Sequence, residues 1–115
     1  MKAIPLEQFE ELVADALDEV PAELMKLLDN VVVLVDDRNQ DEPDLLGLYE
    51  GHALTERGWH YGGDLPDRIM IYREAICDIC EDEDQVAEEV AVTVVHEIAH
   101  HFGIDDDRLH ALGWS

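Results

Sequence analysis

An α+β fold in one domain, residues 1–115, is what this sequence predicts, on three observations. Apolar residues recur at helical spacing in two segments near the N-terminus and again toward the C-terminus. Between them lie the short apolar runs VVVLV, LLGLYEG and RIMIY, bounded by turn-forming residues, which read as strands. A chain of 115 residues, 47% hydrophobic and 31% charged, is long enough for one modest core and too apolar to be disordered.

In the first segment Leu6, Phe9, Leu12, Val13, Ala16, Leu17 and Val20 follow helical spacing with acids opposite, the pattern of an amphipathic surface helix. Pro21 ends it and opens a second short helix that would bury Leu24, Leu27 and Leu28. VVVLV, 31–35, is too short for a helix and reads as a buried strand; DDRNQDEPD after it is a polar loop. LLGLYEG, 45–51, is the second strand. Five residues of turn chemistry, Gly51, Gly58, Gly62, Gly63 and Pro66, then surround Trp59, His60 and Tyr61, a loop that could flank a cleft. Ile69 to Tyr72 form the third strand. The last helix is expected to start at Asp84 as N-cap and to run to Phe102, where Gly103 stops it. Ala91, Val94, Val95, Ile98 and Phe102 fall on one side of it, the expected core face. Glu89, Thr93, His96, Glu97 and His100 fall on the other, facing a cleft or solvent.

The formal net charge is −22, from 29 acidic and 7 basic residues. Such a surface repels phosphate backbones and anionic headgroups, so neither nucleic acid nor a membrane is an expected partner. The acids are spread along the chain, as solubility alone would have them. In MKAIPLEQFEELVADALDEV acids interrupt the apolar residues every two or three positions, so no secretory core is expected there and a cytoplasmic location is. Cys77 and Cys80 make a single C-D-I-C pair without a second pair or a thioredoxin-like context, and are expected as semi-buried thiols.

The chemistry concentrates in HEIAHHFGIDDDRLH, 96–110. His96 and His100 lie one helical turn apart, so a nitrogen from each can reach one Zn²⁺ at about 2.0–2.1 Å. Glu97, beside them, is the residue type that takes a proton from a zinc-activated water and later delivers it to a leaving amine. Catalytic zinc needs a third protein ligand. Gly103 can turn the chain back in a left-handed conformation and bring up Asp106, completing H96-E97-x-x-H100-x-x-G103-x-x-D106, a metzincin-type string with aspartate in place of the third histidine. Asp105, Asp107 and His110 are its rivals. Asp105 and Asp107 otherwise read as solvated, or as caps for a final short helix carrying Leu109 and Leu112.

HEIAHHFGIDDDRLHALGW, with GGDLPDRIMIYREAI upstream, resembles the small bacterial zincin-like family of predicted metallopeptidases with a matrix-metalloprotease-like domain. The resemblance extends over most of the chain from about residue 45. It implies a minimal zincin-like fold: a small three- or four-stranded sheet packed on a backing helix and the active-site helix. It further implies His96, His100 and Asp106 as zinc ligands, Glu97 as general base, a peptide or protein substrate, and the strand Ile69–Tyr72 as the edge along which an extended peptide pairs. All three methionines, Met1, Met25 and Met70, precede the motif, so the methionine turn of larger metzincins is not expected.

The other candidates have plainer roles. His101 points about 100° away from His100 and reads as a surface residue or a support for the ligands. His110 could support the metal or be a fourth ligand, which would close the site and make it structural. His52 and His60 read as solvated or hydrogen-bonded imidazoles, and Trp59 and Trp114 as core or rim aromatics. Two functions follow: a zinc-dependent peptidase, or a non-catalytic zinc-stabilised binding module. Metalloproteins of ribosomal RNA maturation share the ligand spacing but carry Gly after the first His; Glu97 and the charge of −22 both argue against that reading.

Overall fold

The computed structural model describes residues 1–28, 30–51, 66–105, 107 and 111, apart from the side chain of Leu27. The apolar spacing of the first segment closes into helix α1 (Leu6–Glu19), which buries Phe9, Val13 and Ala16. Leu6, at the edge of the stripe, stays exposed. Pro21 separates α1 from α2 (Ala22–Leu27) as expected, but Leu24 is exposed and Leu28 only half-buried. Six residues give this helix less than two turns, too few to present a whole apolar face.

Strands β1 (Val31–Asp36), β2 (Gly47–Glu50) and β3 (Asp67–Tyr72) form one sheet in the order β1-β3-β2. β1 runs parallel to β3 and β2 antiparallel to it. The register puts Val33, Ile69 and Tyr49 in one row of the covered face, and Leu34, Met70 and Leu48 in a row of the outer face. Two expectations are corrected here. VVVLV is not buried on both faces: its residues alternate half-buried and exposed, with Val32 and Leu34 outward, because among the described residues helices cover only one side of this sheet. Ile69–Tyr72 is not an edge either. β3 is hydrogen-bonded on both sides, so its backbone cannot accept a peptide, and among the described residues β1 and β2 are the edges.

Directly after β3 comes α3 (Arg73–Asp78), a short helix that the sequence reading did not separate from the strand before it. It buries Ala75, Ile76 and Cys77. Both cysteines are free and fully buried rather than semi-buried; burial, more than the neighbouring Glu89 charge, pushes the Cys80 thiol pKa up.

Helix α4 (Glu83–His101) starts two residues earlier than expected, because Asp82 and not Asp84 caps it. The Asp82 Oδ1 accepts from the Gln85 amide at 2.8 Å, while Gln85 Oε1 accepts from the Glu81 amide at 2.7 Å. Asp82→Ala should cost about 1 kcal/mol, read as a lower unfolding midpoint with unchanged denaturant slope. At its other end α4 stops on Gly103, whose φ of 81° is left-handed as predicted. The Gly103 amide bonds the His100 carbonyl (2.9 Å) and the Ile104 amide the Ala99 carbonyl (3.0 Å), the Schellman pattern.

The face that α4 buries differs from the expected one by about a quarter turn. Val86, Val90, Val94, Ile98 and His101 point into the core, with Thr93 and Glu97 buried beside them. Ala91, Val95 and Phe102 instead line an apolar groove of about 390 Å³ with Val20, Leu24 and Ile104. The expected face was chosen by apolar count; the actual face is the one that meets the sheet.

Candidate metal centre

The rotation of α4 places the motif between core and cleft. His96 and His100 are half-buried, while Glu97 is 5% exposed. Their potential ligand atoms all lie within 4.8 Å of one another, a convergence that follows from the one-turn spacing. The two imidazoles meet edge to face with centroids 4.7 Å apart. His100 Nδ1 lies 3.1 Å from Glu97 Oε1.

Glu97 and Thr93, expected toward cleft or solvent, are buried because β2 crosses beneath them at its only glycine. A Cβ on Gly47 would stand 2.6 Å from Thr93 Cγ2 and 3.3 Å from Glu97 Cγ. Only a residue without a side chain lets α4 approach this closely. The resulting cleft, about 400 Å³, is lined by His96, Glu97, Val92, Leu45, Leu46 and Asp44 among others. Asn39 organises the loop leading to that rim: its Oδ1 accepts from the amides of Asp41 and Glu42, and its Nδ2 donates to the Tyr72 hydroxyl.

A second polar group, not found from the sequence, lies behind the motif. His101, 0% exposed, is neither a surface residue nor part of the histidine pair: its Nδ1 lies 3.2 Å from Asp67 Oδ2, and Asp67 is itself 2% exposed. The Tyr49 hydroxyl donates to the same carboxylate oxygen and lies 3.3 Å from His101 Nδ1. The signal was available in part. Once the core stripe of α4 is centred on Val90 and Val94, His101 falls on it, and a buried imidazole demands a polar partner.

The donor set suits zinc: two imidazoles one turn apart, a carboxylate beside them and an open cleft in front. Asp105 and Asp107 are exposed, as expected. Asp106 and His110 lie outside the described residues, as do His52, His60, Trp59 and Trp114.

Among the described residues no helix is long and apolar enough to cross a membrane. Comparison with curated proteins gave no match. Among solved structures, a conserved hypothetical protein from T. thermophilus is 28% identical, with 95% of this chain and 97% of that chain covered at a TM-score of 0.62. The sequence profile of a family described as zincin-like metallopeptidase matches residues 28–114, a span that takes in the whole sheet and the motif helix. On that match, the chain belongs to the zincin-like metallopeptidase family.

Proposed function

We propose that the protein is a zinc-dependent peptidase in which His96, His100 and Asp106 hold the metal and Glu97 is the general base. The observation that carries the reading is the His96–Glu97–His100 cluster, whose ligand atoms converge within 4.8 Å at the wall of a cleft. Zinc, when bound, supplies Lewis acidity toward the scissile carbonyl and the attacking water. Glu97 takes the proton of that water and returns it to the leaving amine. Its contact with His100 orients the ligand at the same time.

An extended peptide would pair with β2, an edge among the described residues and next to the cleft, rather than with β3. The charge of −22 favours peptide over nucleic acid, and the two free thiols suit a cytoplasmic protein.

The test is cleavage of a diverse peptide mixture by zinc-loaded protein, read by mass spectrometry beside chelated protein and His96→Ala. Cleavage by the loaded wild type alone is expected. Zinc bound without any cleavage would overturn the peptidase reading in favour of a zinc-stabilised binding module.

A further inference from the structure

We propose that Asp67, Tyr49 and His101 are positioning residues for the metal centre, acting through the rotation of α4 about its own axis. This inference rests on the reading that His96 and His100 bind zinc. His101 directly follows His100, and its side chain leaves the helix about 100° further round, into the interior. There it meets Asp67 of β3 at 3.2 Å and Tyr49 of β2 at 3.3 Å, so the last turn of α4 is tied to two strands at once.

Simple filling of space would not call for these residues. Three polar side chains are costlier to bury than apolar ones of similar size, and an apolar trio would stabilise the fold as well or better. Hydrogen bonds add direction. Apolar packing lets a helix slip or roll by small amounts, whereas an imidazole held by a carboxylate fixes the angle at which the preceding residue emerges. That residue is His100. The Asp67 carboxylate is held in turn: the space that a Cβ on Gly51 would need, at a φ of 150°, is filled by it. Just beyond His101 the Gly103 turn ends the helix, so the angle of this last turn also sets the direction in which the chain leaves α4.

The experiment measures zinc affinity by competition with a chromophoric chelator, and the visible absorption of the cobalt-substituted protein. It compares wild type, Asp67→Asn, Tyr49→Phe and Val86→Ala, the last a core substitution at the opposite end of α4. Circular dichroism selects conditions in which each variant is folded. Asp67→Asn and Tyr49→Phe should weaken zinc binding about tenfold, the low end for groups that orient ligands, and alter the cobalt spectrum. Val86→Ala should lower thermal stability and change neither readout.

Wild-type affinity and spectrum in both network variants would overturn the proposal, as would an equal loss of zinc in Val86→Ala. If Asp67→Asn does not fold, Tyr49→Phe decides, since it removes one hydroxyl and no charge. A wild type that takes up no zinc would instead overturn the metal reading, and this inference with it.

Discussion

Glu97→Gln is expected to keep zinc and to lower peptide cleavage by about 10²–10⁴-fold, the usual contribution of a general base. Glutamine matches the glutamate in shape, so it fills the same space above Gly47 and keeps a polar oxygen beside His100 Nδ1, where Glu97 Oε1 now lies at 3.1 Å. The packing around the ligand is therefore kept, while the group that takes a proton is gone. Glu97→Ala would be a poorer test, since it would open a cavity at a 5% exposed position and take away the carboxylate that lies beside His100. Zinc content and single-turnover cleavage at matched occupancy check the prediction. Cleavage at the wild-type rate would remove Glu97 from the mechanism, whereas loss of zinc would show that its main work is holding His100.

The motif was legible because its chemistry depends on spacing within one helix, and a period of 3.6 residues converts His96, Glu97 and His100 into a cluster without tertiary information. The α+β class and the three strands were legible for a similar reason: short β-branched runs between turn residues have few other outcomes. What failed was whatever depends on neighbours distant in sequence. Val32 and Leu34 look like core residues, yet nothing among the described residues covers their face of the sheet, and Ile69–Tyr72 became central because β1 and β2 flank it. Counting apolar residues chose Val95 and Phe102 for the core of α4, while contact with β2 chose Thr93, Glu97 and His101. The Asp67–His101 pair spans 34 positions, beyond any local pattern.

The same contact between α4 and β2 makes Gly47→Ala the sharpest test of the architecture. Gly47 is not in the left-handed region, so alanine suits its backbone and would stabilise by about 0.4–1 kcal/mol through the unfolded chain alone. Packing opposes this. The new methyl would stand 2.6 Å from Thr93 Cγ2 and 3.2 Å from the Met70 carbonyl oxygen. Met70 belongs to the central strand and cannot retreat without disturbing the ladder, and a β-branched Thr93 in a helix has little rotamer freedom with which to swing its methyl away. Overpacking of this kind costs about 1–3 kcal/mol, so the net effect should be a loss of about 1–2 kcal/mol. Lifting α4 from β2 would also carry Glu97 and His96 outward, and cleavage should fall further than the folded fraction does. Thr93→Ser removes the clashing methyl, and in a double-mutant cycle it should recover most of the stability lost in Gly47→Ala. If Gly47→Ala is as stable as wild type, or if Thr93→Ser brings no recovery, then α4 does not rest on β2 at this glycine, and the cleft wall that carries the candidate ligands is built in some other way.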